Sequence, residues 1–123
     1  MLQISFEEFE KIVDEIVEKA RKEIPEELLC MLGNLSILVQ DKSLFKEDKN
    51  PDLSPLGIYY GISINDLFVG YSGTDNVIVI YRIPHLNKCK NMDDLRVEIY
   101  DTLLHEIGHH FGLKDDKVHE LVP

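Results

Sequence analysis

Apolar residues recur every three or four positions near both ends of the chain and gather into short compact runs between them. The pattern predicts helices at the flanks and strands in the middle. Ser5-Phe6-Glu7-Glu8 has the form of a capping box, with Ile4 and Phe9 at hydrophobic-staple spacing around it. Phe6, Phe9, Ile12, Val13, Ile16, Val17 and Ala20 follow at helical period and predict a first amphipathic helix to about Lys22. Pro25, with Glu26 and Glu27 behind it, opens a short second helix that Gly33 ends. Leu35–Val39 is an apolar run of strand length, expected to be buried. Asp41–Pro55 has no period and is the longest irregular stretch. Gly57–Gly61 and Leu67–Tyr71 fit short strands, Ser72–Asn76 reads as a turn, and Val77–Ile83 is the clearest strand. Pro84 is expected to stop it, and His85 to lie at the surface of the connection that follows.

The last periodic segment is the most informative. Asn91 or Asp93 caps a helix expected from about Asp94 to Phe111. Projected at about 100° per residue, Asp94, Glu98, Asp101, Thr102, His105, His109 and Gly112 share a strip ~100° wide. Leu95, Val97, Ile99, Tyr100, Leu103, Leu104, Ile107 and Phe111 take most of the remaining circle. The helix is therefore expected to be buried on most sides, with one polar seam. Two or three helices around three or four strands predict an α+β domain, a small mixed sheet with helices covering one face. The seam of the last long helix would open into a cleft along a sheet edge, where an extended peptide could add as a strand.

Composition narrows the class. A chain of 123 residues is expected to form a single domain over 1–123. With 44% hydrophobic and 29% charged residues, it has the composition of a globular protein. The net charge of −10 speaks against a nucleic-acid or anionic-membrane partner. No apolar run reaches the ~20 residues that span a bilayer. Acidic residues appear by Glu7, unlike a signal peptide, so a cytoplasmic location is expected. Cys30 and Cys89 read as reduced, semi-buried thiols, with Cys89 also a candidate soft ligand.

The seam carries chemistry in His105-Glu106-Ile107-Gly108-His109, the H-E-x-x-H pattern of zinc hydrolases. Residues four apart on a helix differ by about 40° in azimuth and ~6 Å along the axis, so two imidazoles can close on one metal. Glu106 lies about 100° of rotation from His105 and flanks the metal, where a carboxylate can take a proton from a bound water. Gly112 and Asp115 extend the pattern to H-E-x-x-H-x-x-G-x-x-D, a match expected by chance on the order of once in ten thousand such chains. Glycine accepts the left-handed conformation that ends a helix, after which the chain can turn back to present a third ligand. Asp115, His119 and Asp116 are the candidates, in that order. His110 projects about 140° from His105, into the apolar arc. Gly108 within the helix costs about 1 kcal/mol against alanine and suggests a close backbone approach there.

These residues resemble the small zincin-like metallopeptidase domains of bacteria, sometimes called minimal zincins. The likeness covers nearly the full length: FEEFEKIVDEI, IPEELL leading to LSILVQD, LGIYYGI, VIVIYR, and HEIGHHFGLKDD, the last being the most specific. The resemblance implies an α+β zincin fold, one Zn²⁺ per chain and peptidase activity on a peptide or protein substrate. Carried over by position, His105, His109 and Asp115 would be the ligands and Glu106 the catalytic base. No methionine follows Met92, so the methionine turn of the larger metzincins is missing. Two other readings stand beside the peptidase. A metal-dependent ribonuclease of the rRNA-maturation type would carry a third histidine and no Glu106. A non-catalytic zinc-containing binding module would not need Glu106 either. Tyr59, Tyr60, Tyr71 and Tyr81 are the candidate oxyanion stabilisers.

Overall fold

The computed structural model describes residues 2–27, 35–42, 55–60 and 76–110. Helix α1 spans Phe6–Glu23 and starts as the capping box requires, with the Glu8 amide donating to Ser5 Oγ at 3.2 Å. Ile4 and Phe9, the staple pair, are 8% and 0% exposed. Ile24 is extended (φ −74°, ψ 135°), the conformation the residue before a proline is driven to, and the helix stops there. Glu26 and Glu27 are helical, while the rest of the predicted second helix lies outside the described residues.

Three strands form a mixed sheet in the order β1–β3–β2: β1 Leu35–Gln40, β2 Gly57–Tyr60 and β3 Asn76–Tyr81. β1 runs parallel to β3, with Leu35 opposite Asn76, and β2 runs antiparallel to it, with Gly57 opposite Ile80. Helices α2, Arg82–Lys88, and α3, Met92–His110, complete the described elements. Ile78 and Ile80 of the central strand, both 0% exposed, face the core built by Phe9, Ile12, Val13 and Ile16 of α1 and Leu95, Ile99, Leu103 and Ile107 of α3. Each such aliphatic side chain contributes about 1.5–3 kcal/mol by leaving water. The protein is thus an α+β domain with helices packed on its sheet, as the pattern predicts. No helix among the described residues is long and apolar enough to cross a membrane.

Four expectations need correcting. β1 is not buried: its residues alternate between half-buried and exposed, and Leu38 is 49% exposed. It lies at one end of the described sheet order and packs only Leu35, Ile37 and Val39 against the core, so its other side faces outward. α3 is less enclosed than its projection suggests, with Val97 60% and Met92 38% exposed in its first half. The strand expected over Val77–Ile83 ends instead at Tyr81, ahead of Pro84, which lies inside the helix that follows. α2 begins directly after Tyr81, and Pro84 occupies its first turn, where a missing N–H leaves no bond unmade. That turn carries His85 inward, to 0% exposure instead of the expected surface position. The predicted strand Leu67–Tyr71 and the turn Ser72–Asp75 lie outside the described residues.

Candidate active site

Helix α3 is set by Asn91, whose Oδ1 accepts the Asp94 amide at 2.9 Å, with Asp93 and Asp94 in the first turn against the helix dipole. Its apolar arc goes to the core, so its polar seam must face away from it. The seam opens into a cavity of about 380 Å³ lined by Glu98, Asp101, Thr102, His105 and Glu106. The opposite wall is Pro55-Leu56-Gly57, the approach to and start of β2, with Lys88 of α2 at one side. The Tyr81 amide donates to the Leu56 carbonyl at 2.9 Å and pins that wall to the end of β3. The cleft lies at the start of β2, the outer strand of the described order, where it meets the motif helix.

A close approach of chains occurs at Gly57. A Cβ there would lie 2.7 Å from Thr102 Cγ2 and 2.9 Å from the Val79 carbonyl oxygen, nearer than Cβ atoms come. Glycine inside a strand signals such an approach, and LGIYY carries that signal in the sequence. Gly108 is buried in α3.

Within the cleft, His105 Nδ1 lies 3.0 Å from the Asp101 carbonyl. A carbonyl can only accept, so Nδ1 carries the proton and Nε2 keeps the lone pair, the arrangement found in metal-binding imidazoles. Glu106 is 8% exposed, and its Oε2 stands 3.5 Å from Nδ1 of His109, whose side chain is 44% exposed. Glu106 thus stands beside His109 on α3 and lines the same cavity as His105. Asp115, Asp116 and His119 lie outside the described residues, and among those described no group of three or more His, Cys, Asp or Glu side chains is placed to hold a metal ion. Two imidazoles four residues apart, one with its tautomer set by a backbone carbonyl, are a donor set that fits zinc once a third ligand joins them.

Behind the seam, His85 Nδ1–H donates to the Tyr81 carbonyl at 2.7 Å, and its Nε2 meets the Thr102 hydroxyl at 3.0 Å. That hydroxyl also lies 2.9 Å from the Glu98 carbonyl. Phe9 packs on the imidazole with ring centroids 5.9 Å apart. Burial holds His85 below the usual imidazole range, against the opposing influence of the Tyr81 hydrogen bond and the Glu98 charge. Lys88 Nζ bonds Glu98 Oε1 at 3.2 Å across the end of the cleft. Cys89 is a free thiol buried in the core, where desolvation pushes its pKa up, and it does not line this cleft. Of the candidate oxyanion stabilisers, Tyr59 and Tyr81 do not line the cleft, since Tyr59 donates to Asn76 Oδ1 at 2.9 Å and Tyr81 is 1% exposed, while the Tyr60 side chain and Tyr71 lie outside what is described.

With this geometry in view, comparisons with known proteins give two findings. The family described as Zincin-like metallopeptidase matches residues 32–122, about three quarters of the chain. A conserved hypothetical protein from Thermus thermophilus superimposes with a TM-score of 0.60 over 88% of this chain and 94% of its own, at 22% identity. At that identity the likeness speaks for the fold alone. No curated protein matches in sequence.

Proposed function

Because the chain belongs to the zincin-like metallopeptidase family, we propose that it is a zinc-dependent peptidase whose reaction takes place in the cleft between α3 and the start of β2. The observation that carries this reading is the shared cleft wall: His105 and Glu106 line one 380 Å³ cavity opposite Leu56 and Gly57. His105 and His109 would hold the ion, with Asp115 as the third ligand. Zinc so held supplies Lewis-acid polarisation of the peptide carbonyl and makes a water acidic near neutral pH.

The chain's own residues do the rest. Glu106 takes a proton from the attacking water and returns it to the leaving amine, a role that suits a carboxylate mostly withdrawn from solvent. The Asp101 carbonyl fixes the His105 tautomer, so Nε2 is available without a proton to lose. Leu56 and Gly57 form the wall against which an extended peptide lies, and the glycine lets that wall pack closely on Thr102 of the motif helix. The acidity of the chain and the presence of Glu106 favour peptide over RNA as substrate.

The test joins metal analysis to turnover. Protein purified without chelator should carry close to one zinc per chain, lost in His105→Ala or His109→Ala. Glu106→Gln should keep the zinc and lose ~10²–10⁴ of the peptide hydrolysis rate. Zinc retained by a wild type that cuts no peptide in a diverse library would turn the reading to a binding module. Absence of any bound transition metal, with no stabilisation by added zinc, would refute it.

A further inference from the structure

Thr102 sits one helical turn before His105 and Glu106 on the same seam, and it is the side chain that meets β2 at the cleft floor. Its two branches are used differently. The hydroxyl points to the rear, between His85 Nε2 at 3.0 Å and the Glu98 carbonyl at 2.9 Å. The methyl points to the front, 2.7 Å from the place a Gly57 Cβ would occupy. In a helix threonine chooses between two χ1 wells, and the position of its hydroxyl decides where its methyl goes. The Glu98 carbonyl belongs to the helix itself and is offered to any threonine in this setting. His85 is the partner that comes from elsewhere in the fold.

His85 has little freedom of its own. It is 0% exposed, anchored at Nδ1 by the Tyr81 carbonyl and faced by Phe9. With the Nδ1 proton given to that carbonyl, Nε2 of a neutral ring can only accept, so the single Thr102 hydroxyl proton is shared between the Glu98 carbonyl and His85 Nε2. A chain of contacts therefore runs from the end of β3, through His85 and Thr102, to the start of β2, and its last link is the wall of the cleft. On the peptidase reading above, we propose that His85 is a positioning residue of the cleft. By holding the Thr102 hydroxyl behind α3, it keeps the Thr102 methyl on Gly57 and sets the spacing between β2 and the motif helix on which peptide binding depends. His85 touches neither substrate nor metal in this role.

Thr102→Val keeps the side-chain volume and severs the His85 link, and His85→Leu severs it from the other side. In zinc-loaded protein each should raise KM for a cleaved peptide on the order of tenfold, with kcat within about twofold and zinc content unchanged. The two should act as one, so that the double variant raises KM no further than the larger single effect. A wild-type KM in Thr102→Val beside a lowered unfolding midpoint would overturn the proposal, leaving His85 as core packing. Additive KM effects in the double variant would overturn it as well. Should His85→Leu fail to fold, Thr102→Val alone decides by these same readouts. If zinc-loaded wild type cuts no peptide, the peptidase reading fails separately. The spacing is then read by NMR: loss of the contact between Gly57 Hα and the Thr102 methyl in Thr102→Val supports the positioning role, and its retention overturns it.

Discussion

Gly57→Ala should destabilise the protein even though alanine is the better residue in almost any other part of a strand. The new Cβ would lie 2.7 Å from Thr102 Cγ2 and 2.9 Å from the Val79 carbonyl oxygen. Carbon atoms rest at about 3.5–4.0 Å, so the threonine methyl would have to retreat by roughly 1 Å. It cannot do so by turning about χ1 without pulling its hydroxyl from His85 and Glu98. The Val79 oxygen has still less freedom, because it belongs to the central strand of the described sheet, paired on both sides. Overpacking of this kind costs ~1–3 kcal/mol. Removal of glycine's unfolded-state entropy returns about 0.4–1 kcal/mol. The balance is a net loss of about 1–2 kcal/mol, and in urea the midpoint should fall by roughly 0.5–1 M. Thr102→Ser deletes the opposing methyl while keeping the hydroxyl, so it should recover part of the loss when combined with Gly57→Ala, and the coupling energy is read from a double-mutant cycle. A Gly57→Ala protein as stable as wild type would show that β2 and α3 are not held at this distance in solution, and the close packing argued for the cleft floor would be wrong.

Three further outcomes are expected. Zinc titrated into Asp115→Ala, Asp116→Ala and His119→Ala should reveal a large affinity loss only in the first, and a selective loss in His119→Ala would move the third ligand there. Tyr100, half-buried and donating to Glu23, has its pKa pushed up to about 12 by desolvation and by that carboxylate. The neutral phenol is thus favoured by folding, so its contribution is complete below about pH 10 and lost between about 10 and 12, a decline that Tyr100→Phe should flatten in pH-dependent unfolding. His85 has its pKa lowered chiefly by burial, so folding favours the uncharged ring. Its contribution is complete above about pH 6.5 and is lost as the pH falls below that value, and His85→Gln should weaken the acid slope of stability in that range.

The elements legible in the sequence are those whose signals are local. Ser5 and Glu8 mark the start of α1, Asn91 marks that of α3, and the strip from Glu98 to His109 needs only helical geometry to be recognised as one face. The position of the cleft follows from the seam facing away from the apolar arc. What cannot be read depends on where distant segments meet. The one-sided burial of β1 follows from a strand order that no local pattern encodes, and Leu38 looks as apolar in the sequence as Ile37. His85 escapes a local reading because RIPHLNK is a short helix with a proline inside, too brief for its period to show. Helix propensity points to a tight contact at Gly108. It gives no such signal for the approach at Gly57, where the start of β2 meets Thr102.

The order of the described strands has a consequence for how the protein comes into being. β3 is the middle strand in space and the last of the three in the chain, and α2 and α3 follow it directly. While the chain is being synthesised, β1 and β2 emerge first, and neither pairs with the other in the finished sheet. Their shared partner arrives only with Asn76–Tyr81, and Leu35 must then find Asn76 across a long intervening segment, a contact whose closure entropy slows folding. The segment that closes the sheet leads straight into the one that delivers His85, Thr102, His105 and Glu106. On the function proposed here, the wall at Leu56 and Gly57 is made before the helix that carries His105 and Glu106, and the cleft forms only when the two are brought together. On that reading, hydrolytic capacity waits on the pairing of β3 with its two neighbours.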